Sequence, residues 1–409
     1  MASLYAELLA NIRQISLAAS LPSHSPADSS TQVTLASDCK TVVLSHRGNT
    51  QRLTLPAKAS LGGTLLPIQQ KQKGSSTLSW RLPLDASSLP QSHQSDTIPW
   101  SAIDLTSSSA ATGVTCRQCN AGIVPPEVVR EWKDLPSENW AEMMEFWHCH
   151  KPDHHHHNHH DHGENGKADE NSLAARGYGA SSAISAQEGV GFVDLTTLLF
   201  AEADCRNVTF SLSTYEQGSP NRHTLPSTPT QPHNLNVFCT PCHAHLGFFN
   251  FRTSAVTLLK WQISCPSTSG VVPSIPECLA ATLISTMARS GSSKSLIMPI
   301  AETILGSSDE QSAIHIWVLN SSIVYASSSS SGDARPTPAV KLLYRRITNE
   351  EADKMLEAVS CDSQEINLPA QALDEVLLRL DESNVLLPPT ERMFKGWKVG
   401  LLTRWEGKA

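Results

Sequence analysis

Alternating apolar and polar positions dominate the first quarter of the chain. "TQVTLAS" (31–37), "KTVVLSH" (40–46), "QRLTLPA" (51–57) and "TLSWRLPLD" (77–85) each read as a strand with one buried face, separated by Gly, Ser, Pro and Asn. Residues 1–20 fit a helix or one or two strands equally well. The period changes farther on. Trp140, Met143, Met144 and Trp147 recur at i, i+3, i+4 and i+7, one apolar stripe along a helix. Ser137 supplies an N-cap and Pro152 a stop, so the pattern predicts a helix over 137–150.

The remainder alternates helix and strand. Pro276 near the start and Gly291 past the end predict a helix over 274–289. "AIHIWVL" and "IVYAS", flanking Asn320-Ser321-Ser322, predict a hairpin, and "AVKLLYRR" a strand. Thr348 and Glu351 form a capping-box signal for a helix to Ser360. Pro369 opens another helix, with Ala372, Leu373, Val376, Leu377 and Leu380 on one face. "MFKGWKVGLLTRW" closes the chain as an alternating strand.

Composition changes the picture in two stretches. "KPDHHHHNHHDHGENGKADENS" has no apolar periodicity and reads as a disordered insertion over 151–190. Its histidines could hold metal weakly, although a low-complexity surface insert is the plainer account. Residues 213–235 and 326–338 read as further mobile loops. Hydrophobic residues make up 40% of the 409, enough for a true core. The net charge of −8, without a long basic run, argues against direct nucleic-acid binding. No stretch suits a bilayer span and the N-terminus lacks the marks of a signal peptide, so neither membrane nor secretion is expected.

Ten cysteines are too few for a disulfide scaffold, and four of them fall in two C-x-x-C pairs. Cys116 and Cys119 sit in "CRQCNAGIV"; Cys239 and Cys242 sit in "CTPCHAHLGF". Each pair aims two thiolates at one point from a tight turn. Two such turns supply the ligands of a tetrahedral structural Zn2+. Ordinary thiols, redox chemistry, or replacement of one Cys by His243 or His245 are the competing readings. A thioredoxin-type pair would open a helix, which the residues after Cys119 do not suggest.

Cys149, between His148 and His150, has three readings: nucleophile, metal ligand, or buried thiol at a helix end. The negative end of the helix dipole disfavours a thiolate there. The Trp-Met stripe is either core or a docking face. The expected architecture is α+β. A β-rich lobe over 1–150 carries the first zinc knuckle and the amphipathic helix. The second knuckle region spans 191–260, and an α/β C-terminal lobe spans 261–409.

"CRQC", "LPSENWAEMMEFWHCHKPD", "CTPCHAHLG", "IHIWVLNSSIVYAS", "AVKLLYRR" and "LPAQALDEVLLRLDESNVLLPPTERMFKGWKVGLL", in that order, resemble the HECT-like ubiquitin-ligase family that binds ubiquitin-conjugating enzymes. The resemblance implies a ligase that accepts ubiquitin from a charged conjugating enzyme and passes it to a lysine of a substrate protein. It implies Cys149 as the acceptor, with Trp140, Met143, Met144, Trp147 and His150 contacting a partner. It also implies a second role, in binding the endonuclease subunit of the mRNA 3′-end cleavage and polyadenylation machinery. The cysteine usage, read as metal binding in a reducing compartment, places the protein in the cytoplasm, the nucleus, or both. In one respect the sequence departs from standard HECT ligases, which carry the acceptor Cys near the C-terminus in a mobile lobe. Here the residues after Cys361 contain no cysteine.

Overall fold

The computed structural model describes residues 2–60, 62–68, 74–85, 98–106, 113–135, 185–211, 234–251, 253–265, 271–300, 312–329, 335–358 and 361–406. The predicted helix over 137–150, with Trp140, Met143, Met144, Trp147, Cys149 and His150, lies outside them, as does the His-rich stretch through residue 184. The fold is β-rich α+β. It divides into two compact units: Met1–Pro99 with Ser274–Ala409, and Trp100–Pro273.

In the first unit the ambiguous N-terminus is a β-hairpin. Ser3–Leu9 pairs antiparallel with Gln14–Ser20, and Arg13 turns the chain at φ 53°. These strands belong to a nine-stranded sheet. Its main path runs Met393–Phe394, Trp397–Thr403, Thr337–Thr348, Ser312–Ser327, Ser3–Leu9, Gln14–Ser20 and Thr77–Pro83. Lys294–Pro299 also pairs with Ser312–Ser327, and Ser363–Leu368 lies parallel to Lys294–Pro299. Strands from both ends of the chain therefore share one sheet, where separate N- and C-terminal lobes were expected.

The four alternating runs form Gln32–Leu35, Thr41–His46, Asn49–Thr54 and Thr77–Pro83. The first three, with Thr64–Leu65, make a four-stranded antiparallel sheet. Their inward residues, among them Val33, Leu35, Val42, Leu44 and Leu53, pack with Leu4, Leu8, Ile15 and Leu17 in one core. This satisfies the alternation, since one face of each strand leaves water.

The expected hairpin around Asn320-Ser321-Ser322 is instead one 16-residue strand, Ser312–Ser327. The polar triplet produces register shifts between Val318 and Ile323, with Asn320 Oδ1 accepting from the Ser322 N–H at 2.9 Å. The chain does not reverse because both halves have other partners. Residues 314–317 pair with Lys294–Ile297, and residues 324–327 pair with Tyr5–Leu8. The strand also takes up Ala326 and Ser327, the start of an expected loop.

The signals for three of the predicted helices are met among the described residues. Ser274 forms a full capping box with Glu277 ahead of Ile275–Ser290, which ends on Gly291 at φ 71°. Thr348 Oγ1 accepts from the Glu351 N–H to start Asn349–Glu357, which stops short of the expected Ser360. Ala370–Leu386 buries Ala372, Leu373, Val376, Leu377 and Leu380. It approaches the strand Trp397–Thr403 so closely that a Cβ at Gly400 would lie 2.7 Å from Leu380 Cδ2. Among the described residues no helix is long and apolar enough to cross a membrane.

The second unit has a seven-stranded sheet in the order Glu131–Asp134, Val190–Val193, Thr197–Ala201, Ala255–Leu259, His245–Asn250, Asn234–Cys239 and Val208–Ser211. A three-stranded sheet joins Ile263–Ser264, Val114–Cys116 and Gly122–Val124. Each C-x-x-C pair thus begins at the end of a strand.

Candidate metal centre

Each thiol pair occupies a strand–turn–strand unit of the same design. Val114–Cys116 runs into a turn and returns as Gly122–Val124; Asn234–Cys239 returns as His245–Asn250. In the first turn the Cys116 N–H donates to Ala121 O at 2.8 Å and the Asn120 N–H to Cys116 O at 2.8 Å. In the second, the Cys239 N–H donates to Ala244 O at 2.9 Å and the His243 N–H to Cys239 O at 2.8 Å. Asn120 and His243, each just after the second Cys, both adopt φ 59°. Such a left-handed residue folds the backbone N–H groups inward, towards the sulfurs.

The two turns meet. Cys116 Sγ lies 3.6 Å from Cys242 Sγ, and Cys119 Sγ lies 3.5 Å from Cys239 Sγ. All four sulfurs fall within 4.8 Å of one another. A tetrahedron of thiolates at a metal–sulfur distance of ~2.3 Å needs sulfurs roughly 3.8 Å apart, so the set fits one ion. Cys116 and Cys239 are buried, Cys242 is half-buried and Cys119 is exposed. All nine described cysteines are free, so no disulfide competes for these thiols.

The thiols of the cluster are electrostatically unequal. The Ala121 N–H and neighbouring thiols lower the Cys119 pKa to about 7. Burial pushes the Cys239 and Cys242 thiols up. A divalent ion bound there would offset this penalty by compensating the charge of the thiolates. Around one ion, four soft donors in a closed set would leave no position for a substrate.

The histidines near the second turn are used otherwise. His245 Nε2 lies 3.1 Å from Asn236 Oδ1, and its ring packs against Phe238 and Phe248 with centroids 5.4 and 5.3 Å away. Burial lowers its pKa. His243 supplies the left-handed turn position. Neither belongs to the sulfur cluster.

Residues that sequence reasoning passed over fix the first turn in place. The Arg117 N–H donates to Gln262 O at 3.1 Å, and Arg117 Nη1 donates to Trp261 O at 3.0 Å. Arg117 is a variable position of its C-x-x-C, with no local signal of this role. The first unit holds a different polar chain. Ser25 Oγ lies 2.8 Å from His46 Nε2, and His46 Nδ1 lies 2.8 Å from Thr31 Oγ1. All three side chains are buried, and they stitch the segment before Gln32–Leu35 to the end of Thr41–His46.

The family profile described as HECT-like ubiquitin-conjugating enzyme (E2)-binding matches residues 7–399. The chain belongs to this family. The match in this E2-binding family member begins in the strand Ser3–Leu9, ends in Trp397–Thr403 and takes in both units. An uncharacterised protein of Schizosaccharomyces pombe is 25% identical over 323 residues, covering 75% of this chain and 78% of its own. An uncharacterised protein of Saccharomyces cerevisiae is 24% identical over 302 residues, covering 73% and 71%. No solved structure matches the chain.

Proposed function

We propose that this protein is a ubiquitin-protein ligase that docks a charged conjugating enzyme and passes ubiquitin to a lysine of a substrate protein. The observation that carries this reading is the E2-binding family match over residues 7–399. In it Cys149 is the acceptor. Its thiolate attacks the thioester carbonyl of the charged enzyme and releases that enzyme's thiolate. The substrate amine then attacks the new thioester, and Cys149 is freed. Trp140, Met143, Met144, Trp147 and His150 form the docking face. The cysteines 116, 119, 239 and 242 hold a structural Zn2+ that fixes the two turns on either side of this stretch of sequence. The protein works in the cytoplasm and nucleus, where its thiols stay reduced.

The test is a single-turnover assay with ubiquitin and a charged conjugating enzyme. A reductant-sensitive adduct on the wild-type protein that is absent from Cys149→Ser is the expected result. An adduct that persists in Cys149→Ser removes this residue from the mechanism. No adduct on wild-type protein, with no substrate labelled, overturns the ligase reading.

One structural feature favours a second reading. The strand Trp397–Thr403 is built into the nine-stranded sheet: Lys398–Thr403 pair with Thr337–Thr348 on one edge, and Trp397 and Lys398 pair with Met393–Phe394 on the other. This strand is a member of the large sheet, whereas a standard HECT ligase carries its acceptor in a separate mobile lobe. On this reading the protein is a zinc-stabilised adaptor that holds and restrains the endonuclease subunit of the mRNA 3′-end cleavage and polyadenylation complex. Capture of that subunit by Cys149→Ala at wild-type strength supports it, and loss of capture by a folded Cys149→Ala counts against it.

A further inference from the structure

The two cysteine turns are joined by more than their sulfurs. Residues 205–207 run between the short 3-10 turn Glu202–Asp204 and the strand Val208–Ser211. The Arg206 N–H donates to Ile123 O at 2.7 Å. Asn207 Nδ2 donates to Gly122 O at 2.8 Å. Both acceptors lie on the return strand of the first turn. The Thr240 N–H, inside the second turn, donates to Asn207 O at 2.9 Å. Asn207 thus grips the first turn with its side chain and the second with its backbone.

The residue type suits the place. Asn207 adopts φ 55°, a left-handed conformation in which Asn is favoured among residues with a side chain. Glycine could take the same φ but has no amide to reach Gly122. Aspartate could also take it, but would present an acceptor to a carbonyl. An anchor at this end is in turn supplied by the Gly189 N–H, which donates to Asp204 Oδ2 at 2.8 Å within the seven-stranded sheet's own unit.

We infer that Asn207 is a positioning residue for the metal centre: it sets the spacing of the two C-x-x-C turns so that four sulfurs converge on one ion. This inference rests on the reading of the four cysteines as a zinc site. Residues outside the ligand shell that orient ligands commonly alter metal retention well beyond their own contact. Here the contacts are solvent-exposed hydrogen bonds, so the expected effect is at the lower end.

The test uses the full-length protein, loaded with zinc, and follows release to a chromophoric chelator. Asn207→Gly and Asn207→Asp are expected to release zinc about three- to tenfold faster than wild type. With Co2+ in place of zinc, they should shift the visible bands that report tetrahedral thiolate geometry. Thr209→Val is the control. It loses the Thr209–Thr240 hydroxyl contact of 3.0 Å, which touches the second turn alone, and should release zinc at close to the wild-type rate. If Asn207→Asp does not fold, Asn207→Gly carries the test, since it keeps the backbone conformation. Wild-type rates in the Asn207 variants, or equal acceleration in Thr209→Val, overturn the assignment. Wild-type protein that binds no zinc overturns the metal reading itself, a distinct outcome.

Discussion

Asn120 and His243 occupy the same backbone position in two turns that lie in distant parts of the sequence, each at φ 59° and each donating its N–H to the carbonyl of the first Cys of its pair at 2.8 Å. The repetition extends to the sulfurs, which come from two equivalent loops facing one another. Loss of any one sulfur therefore breaks a set that depends on both loops.

Replacing one thiol should empty the site. Cys239→Ser is expected to carry no stoichiometric zinc by elemental mass spectrometry and to lose about 4 kcal/mol or more of stability, because loss of a structural metal is among the largest single-residue effects. A Cys239→Ser protein that stays zinc-loaded and melts like wild type would refute the shared site.

The left-handed positions give a finer test. Asn120→Gly should remain within about 0.5 kcal/mol of wild type, since Gly takes this φ without strain. Asn120→Val should cost about 1–2 kcal/mol or more, because a β-branched Cβ clashes there. Urea denaturation of the zinc-loaded proteins measures both. Equal stability of the two variants would show that the turn relaxes elsewhere.

Gly247, in the second turn's return strand, should tolerate no side chain. A Cβ there would sit 1.9 Å from the carbonyl oxygen of Thr257 on the neighbouring strand. Gly247→Ala is expected to lose more than about 3 kcal/mol and to expose the amides of 245–250 and 255–259 to hydrogen exchange. Native-like exchange in that variant would mean that the strands can separate without loss.

An ion pair between a buried carboxylate and a partly buried lysine in the first unit should behave asymmetrically. Lys341 Nζ lies 2.7 Å from Glu7 Oε2, which also accepts from the Tyr5 hydroxyl at 3.1 Å. Burial and Glu7 together raise the Tyr5 pKa. Lys341→Met should cost about 3–5 kcal/mol by leaving the Glu7 carboxylate buried without its cation. Glu7→Gln combined with Lys341→Met should recover part of that loss in thermal denaturation. A double mutant as unstable as the sum of the singles would deny the coupling.

Stability should also fall on acidification through a buried imidazole. His315 is enclosed, its Nδ1 lies 3.4 Å from Arg345 Nη2, and its ring meets Trp397. Burial, then the charges of Arg345 and Lys294, lower its pKa from 6.5 to about 4, with Asp362 opposing them. The unfolded chain takes up a proton near pH 6.5 while the folded chain stays neutral, so stability present above that pH is lost as pH falls towards 4. The advantage of wild type over His315→Gln should shrink by about 2 kcal/mol between pH 7.5 and 4.5. Comparing the two proteins cancels acid loss of metal, which both share. A pH-independent difference would rule out the imidazole.

What the chain settles by itself is what neighbouring residues can settle. The Ser274 and Thr348 caps, the face Ala372–Leu380 and the alternating runs of the first quarter are legible because their hydrogen bonds and burial periods close within a few residues. The C-x-x-C turns belong to this class, since a thiol pair and the residue after it shape one tight loop. Pairing across the chain is decided by the tertiary structure. The segment from Ser312 to Ser327 holds a turn-like triplet, yet it stays extended because Lys294–Ile297 and Tyr5–Leu8 each claim one half of it. Distant parts of the polypeptide likewise share a sheet because Gln14–Ser20 covers one edge of Ser3–Leu9 and Ser312–Ser327 covers the other. The same holds at the four-cysteine cluster: each turn can be read alone, but only strands meeting across the fold, with Asn207 between their turns, bring Cys116 to Cys242 and Cys119 to Cys239.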